Sequence, residues 1–197
     1  EPGEGKSYVA INLAINLSLS QKKVILLGMD IRKPQLRAYL KLKKGELGLS
    51  SYFSGQVKDH HQLVTEMEEY PALHVITAGV VPPNPNELLM SSRVDELITE
   101  LRKDYDYIII DTAPVGVVSD TFVVNRIADI SLYICRINYS DKRNIEYLNH
   151  VVADKSLSRP YIVLNDMDIE ARYSYRKGFG YGYGYYYGHK KVKEIEE

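Results

Sequence analysis

The chain has 197 residues, 45% hydrophobic and 26% charged, with a formal net charge of −1, which is enough for one globular domain with a real core and gives no basic surplus for a nucleic-acid partner. Its one cysteine, Cys135, excludes a disulfide framework or a cysteine-ligated cluster built from this chain alone, and in the apolar run Ser131 to Cys135 it reads as a core residue. No apolar run approaches membrane-spanning length and no signal peptide is visible.

The first seven residues, Glu1-Pro2-Gly3-Glu4-Gly5-Lys6-Ser7, read as the back half of a phosphate-binding loop. Gly3 and Gly5 let the backbone turn tightly and aim N–H groups at phosphate oxygens, and the following helix adds the positive end of its dipole. In such a loop Lys6 reaches the β- and γ-phosphates and the Ser7 hydroxyl holds Mg²⁺. The first glycine of the full pattern would fall before Glu1. A chain opening inside such a loop is expected to be a fragment, so a missing anchor says nothing of the intact protein. Alone, Gly-x-Gly-Lys-Ser also fits an ordinary turn and helix start, and the elements that follow decide between the two.

Val9, Leu13 and Leu17, with Ile11 and Ala14 beside them, form a helical stripe ending near Ser20. Lys23 to Leu27 is a short apolar run, predicting a strand buried on both faces of a parallel sheet. Asp30 follows it, where open α/β sheets bind ligands, although a turn or cap role fits Asp30 as well. Residues 41–70 lack periodicity and read as loops with one or two short helices. His60 and His61 are adjacent, point in different directions and lack further ligands at suitable spacing, so they read as surface residues and not a metal pair.

Leu73 to Ala78 predicts the next strand, and the proline-rich Gly79 to Asn86 a rigid, non-helical connector. An amphipathic helix is expected over Ser91 to Lys103, then a strand from Tyr107 to Asp111 that again ends on a carboxylate. A helix over 120–127, a strand over 130–136, a helix over 142–152 and a strand over 161–165 complete the alternation. The fold class is α/β and P-loop NTPase-like, a mostly parallel sheet flanked by helices. The phosphate loop, the Asp30 turn and the Asp111 turn should converge at one sheet edge, as in proteins that hold Mg²⁺ and a nucleotide.

Composition shifts once. Of 17 tyrosines, those at 173, 175, 181, 183, 185, 186 and 187 fall in a glycine-rich stretch that cannot build a core. The expected organisation is an ATP-binding domain over 1–170 and a flexible tail over 171–197. From the residues alone the tail is either a phosphate acceptor or an adhesive low-complexity segment; an ATP site on the same chain favours the acceptor.

Pro2 to Ser7, Asp30-Ile31-Arg32-Lys33-Pro34, Gly79 to Leu89, Tyr105 to Asp111 and the tyrosine tail together resemble the bacterial tyrosine kinases of capsular and exopolysaccharide export, in the family's order over nearly the whole chain. The resemblance implies ATP and Mg²⁺ as cofactors. It assigns phosphate binding to Gly3, Glu4, Gly5, Lys6 and Ser7, metal binding to Ser7, Asp30 and Asp111, and catalysis to Lys6, Asp30 and Asp111. Arg32 is a possible stabiliser of charge, or else a surface ion-pair residue. Tyr173, Tyr175, Tyr181, Tyr183, Tyr185, Tyr186 and Tyr187 match the autophosphorylated cluster. The implied partners are further copies of the chain in a ring, each tail entering the neighbouring active site, a membrane-spanning activator in the same or a separate chain, and a tyrosine phosphatase. No nucleic acid is implied, and the implied location is the cytoplasmic face of the inner membrane.

One position departs from the family. The first of its two aspartates in the second Walker motif falls on Gly28, which can neither bind metal nor take a proton, so Asp30 and Asp111 must share that work or catalysis is weakened. Two other readings stay open. A partition-type ATPase shares the sheet and both aspartate turns, but it carries a second lysine five positions before the loop lysine, where this chain has Glu1. A nucleotide-switched scaffold that binds ATP and scarcely catalyses is kept alive by Gly28.

Overall fold

Val24–Gly28 (β1) is the centre of the main sheet, and all five residues are buried, as an unbroken apolar run requires when helices cover both faces. The computed structural model of the protein describes residues 2–43, 45–114, 126–141, 143–153 and 157–168. The chain divides after Asp166, and every helix and strand named here lies before that point. β1 pairs in parallel with Tyr70–Ile76 (β3) on one side and Tyr107–Asp111 (β4) on the other. Thr65–Met67 (β2) runs antiparallel along the outer edge of β3, giving the order β2-β3-β1-β4. Ser131–Arg136 (β5) and Pro160–Asn165 (β6) pair in parallel as a separate two-stranded sheet.

Alternation along β1 sends its side chains into two cores. Ile25 and Leu27 meet Val94, Leu97, Ile98 and Leu101 of Ser92–Asp104 (α5), whose i, i+3, i+4, i+7 spacing makes one apolar stripe. Leu36–Tyr39 (α2), Leu49–Phe53 (α3) and Pro85–Met90 (α4) are short, and α3 and α4 add Tyr52, Phe53 and Leu89 to that core. Val24 and Leu26 face Ala10, Ile11 and Ala14 of Lys6–Leu19 (α1) on the other side. A smaller core joins Leu148 and Val151 of Arg143–Ala153 (α6) to Leu157 and Tyr133. Cys135 is buried. The β4 and β5 strands line a cleft of about 710 Å³, with Val9, Leu13, Ile109 and Leu132 among its walls. Among the described residues no helix is long and apolar enough to cross a membrane.

Three expectations need correction. The stretch 41–70 contains a strand as well as short helices: β2 returns against β3 across Glu68 and Glu69. His60 is buried, not superficial, because Asp59 caps a 3₁₀ turn over His60–Leu63 that tucks His60 edge-on against Tyr52. The same turn brings one ligand atom each from Asp59, His60 and His61 within 4.8 Å of one another, with the Asp59 carboxylate already accepting from the backbone N and ring Nδ1 of His61. The connector after Gly79 becomes helical at Pro85, since proline suits the first turn of a helix, where its missing N–H costs nothing. The helix expected over 120–127 lies largely outside the described residues.

Candidate active site

The loop before α1 turns through two left-handed glycines, Gly3 at φ 82° and Gly5 at φ 91°. A Cβ on Gly5 would lie 2.2 Å from Asn165 Nδ2, and one on Gly3 2.9 Å from the Tyr139 hydroxyl, so the cradle tolerates no side chain at either place. Alternating left-handed residues turn successive N–H groups to one side and make an anion-binding concavity, here continuous with the N-terminus of α1.

The ladder between β1 and β4 fixes the second half of the site. Gly28 sits opposite Asp111, and Met29 N donates to Asp111 O at 2.8 Å, so the Asp30 turn begins against Asp111. Asp30 closes that turn, its Oδ1 accepting from Lys33 N at 3.0 Å and Arg32 N at 3.3 Å. The Arg32 guanidinium donates to Asn86 Oδ1, which ties the turn to the proline-rich segment. Asp111 is 6% exposed and accepts a hydrogen bond from the Ser7 hydroxyl. Burial pushes its carboxyl up to about 6; the Ser7 hydrogen bond opposes this, the Asp30 charge adds to it, and the Lys6 ammonium opposes it again.

Glu4 is 2% exposed, its carboxylate accepting from Ser140 Oγ at 2.7 Å and lying 3.9 Å from Lys6 Nζ. A cavity of about 420 Å³ opens at the carboxyl ends of β1 and β3, walled by Gly28, Asp30, Leu36, Arg37, Thr77 and Asp111. Arg37 crosses its wall to Thr77 Oγ1 at 2.6 Å. A Cβ at Gly28 would stand 3.1 Å from Leu36 Cδ2, so the glycine lets α2 lie close to β1.

The residues present fit a magnesium nucleotide. A hydroxyl and a carboxylate oxygen already joined by a hydrogen bond are the hard donors Mg²⁺ takes a few of while keeping its waters. The glycine cradle and Lys6 suit phosphate oxygens. Thus the structure brings Gly3, Glu4, Gly5, Lys6, Ser7, Asp30 and Asp111 together, and sets Arg32 against Asn86. The tail tyrosines between Tyr173 and Tyr187 lie outside the described residues.

Sequence reasoning missed a group on the far side of the loop. Tyr139 Oη, Arg136 Nη1 and Asn165 Nδ2 reach the carbonyls of Pro2, Gly3 and Glu4 at 2.9, 3.2 and 2.9 Å. The available signal was positional: Arg136 and Asn165 close β5 and β6 at their carboxyl ends, the edge where such sheets bind ligands.

A model of the AAA domain matches residues 2–152. Tyrosine-protein kinase CpsD of Streptococcus pneumoniae is 32% identical over 169 residues, 85% of this chain and 73% of that protein. The kinase domain of Escherichia coli tyrosine kinase ETK superposes with a TM-score of 0.79 at 29% identity, over 95% of this chain and 70% of that one. The septum site-determining protein MinD of Pyrococcus horikoshii OT3, solved with Mg-ADP, superposes with a TM-score of 0.68 at 19% identity over 88% and 73%, a likeness of fold alone.

Proposed function

The chain belongs to the bacterial tyrosine-protein kinases, within the AAA-domain family, and is an enzyme of that class; from that premise we propose that it transfers the γ-phosphoryl group of ATP to tyrosines of its own C-terminal cluster, in trans between copies of the chain. The observation that carries this reading is the Ser7–Asp111 hydrogen bond, with Lys6 and Asp30 near enough to shift the Asp111 carboxyl. Magnesium ATP supplies the phosphoryl group and neutralises charge on the phosphates. The Gly3, Glu4 and Gly5 amides and Lys6 hold the phosphates, while Ser7 and Asp111 hold the metal. The acceptor ring enters the cavity beside Gly28, where Asp30, one oxygen already committed to its turn, takes the tyrosine proton with the other. A phenol whose pKa is about 10 is mostly protonated at neutral pH, so a carboxylate acceptor matters. Oxygen attack on the γ-phosphorus and departure of ADP leave phosphotyrosine. Arg32 stabilises charge on the phosphates when released from Asn86.

We propose as its wider role what the resemblance implies, control of capsule or exopolysaccharide synthesis at the cytoplasmic face of the inner membrane. There the chain works as a ring of copies with a membrane-spanning activator and is reset by a tyrosine phosphatase. Each tail phosphate adds roughly −1.5 to −2 charges, so a fully modified tail opposes the docked assembly. The second reading, a nucleotide-switched scaffold, rests on Gly28, which removes a carboxylate from the site.

One experiment separates them. Incubated with ATP and Mg²⁺, the protein should gain several phosphates between Tyr173 and Tyr187 by mass spectrometry, and Lys6→Met should gain none. An unmodified tail on a protein that still binds ATP would overturn the kinase reading and leave the scaffold.

A further inference from the structure

Three successive carbonyls of the phosphate loop are each pinned by a donor from the carboxyl ends of β5 and β6 or the turn after β5: Pro2 O by Tyr139, Gly3 O by Arg136, Glu4 O by Asn165. The next carbonyl, Gly5 O, accepts from Val9 N in the first turn of α1. A trans peptide unit is planar, with C=O and N–H on opposite sides. Pinning these three carbonyls therefore turns the N–H groups of Gly3, Glu4 and Gly5 away from the β5–β6 sheet. Those are the amides an anion at this loop would meet.

The donors are held in turn. Arg136 Nε donates to Asp166 Oδ2 at 2.9 Å, and its guanidinium lies 5.2 Å from the centre of the Tyr139 ring. Arg136 N donates to Ser140 Oγ at 2.8 Å, and the Ser140 hydroxyl in turn donates a hydrogen bond to the Glu4 carboxylate at 2.7 Å. Ile137 N donates to Asn165 O at 3.0 Å, joining the ends of the two strands. The result is a cross-linked rack behind the loop.

We propose that Tyr139, Arg136 and Asn165 are positioning residues for nucleotide binding, which orient the loop amides toward the phosphates from the carbonyl side. The inference rests on the nucleotide reading of that loop, and it assigns roles to three residues outside every nucleotide motif of the sequence. It separates loop shape from loop composition: a chain with Gly3, Gly5, Lys6 and Ser7 intact but no rack has the right residues with wandering amides.

The test uses Tyr139→Phe, which removes one hydroxyl, Asn165→Asp, which keeps size but loses the donor, and the two combined. Affinity for magnesium ATP is read by titration with a fluorescent ATP analogue, and steady-state kinetics give KM for ATP, KM for a tyrosine peptide and kcat. Thermal midpoints without nucleotide control for folding. The combined variant should weaken ATP affinity and raise KM for ATP by about tenfold or more, leaving KM for the peptide unchanged and the nucleotide-free midpoint close to that of the wild type. An ATP affinity within about twofold of wild type in the folded double variant would overturn the proposal. Should the double variant not fold, Tyr139→Phe alone decides, since the ring is half exposed: unchanged ATP affinity there overturns it equally. Wild-type protein that binds ATP but modifies no tyrosine would fail the kinase reading while leaving this comparison intact; wild-type protein that binds no ATP would sink both.

Discussion

Asp111 carries two demands that oppose each other. Metal binding needs its carboxylate ionised, while burial at 6% exposure and the Asp30 charge favour the protonated form. With the carboxyl raised from 3.8 to about 6, the folded state holds the proton more tightly than the unfolded chain. Its contribution to nucleotide-free stability is therefore fully present below about pH 4 and is lost as pH rises through about 6, a span on the order of 3 kcal/mol. Asp111→Asn should melt higher than wild type at pH 7.5, converge toward it at pH 5, and lose magnesium-dependent ATP binding, because a neutral amide still accepts from Ser7 but binds the metal poorly. Thermal denaturation at the two pH values checks the sign: a variant no more stable than wild type at pH 7.5 would mean that the buried charge is better compensated than its surroundings imply. Wild-type ATP affinity in Mg²⁺ should also weaken as pH falls below about 6, since Mg²⁺ must then displace a proton.

Among the elements, α5 shows what the sequence makes legible. Val94, Leu97, Ile98 and Leu101 repeat at helical spacing, and the helix observed from Ser92 to Asp104 is displaced one residue from the one read over Ser91 to Lys103. Leu101 is fully buried, so Leu101→Ala should cost about 2–5 kcal/mol in urea unfolding, whereas Thr99→Ala on the exposed face should change stability by no more than about 0.5 kcal/mol. Near-equal effects would mean that the stripe does not face the core. β4 was legible for a similar reason: Tyr107 to Asp111 is apolar up to its final carboxylate, and the strand has those limits. β2 was not, because Thr65–Met67 is short, its first two residues are exposed and it carries no alternation; an edge strand borrows its conformation from its neighbour. The phosphate loop and both aspartate turns could be placed from local residue types at strand ends. The rack could not, since Tyr139 reaches Pro2 across 137 residues and Asn165 reaches Glu4 across 161. Periodicity locates strand ends but does not say which distant carbonyl a side chain there will meet.

At the scale of the molecule, the two sheets have unequal support. Among the described residues, β1 lies between two ladders and two cores, while β5 and β6 have one ladder and a small core of Leu148, Val151, Leu157 and Tyr133. Opening free energies follow buried apolar contact and ladder density, so β5 and β6 should open by local fluctuation well below the cost of global unfolding. Between them and the phosphate loop run the bonds of the rack and the Ser140–Glu4 hydrogen bond. A ligand that fixes the loop amides therefore fixes the carbonyls on their other side, and with them the ends of both strands. Hydrogen exchange followed by mass spectrometry should find β1 amides slowest in nucleotide-free protein, with β5 and β6 opening at a cost lower by about 2 kcal/mol or more. Magnesium ATP should then slow exchange in β5 and β6 as well as at the loop, and in Tyr139→Phe/Asn165→Asp at saturating ATP the gain in the strands should shrink while that at the loop persists. Equal protection of β1 and β5 without nucleotide would show that the smaller sheet is held by more than its own core. A nucleotide effect confined to the loop would show that its amides settle independently of the strands behind them.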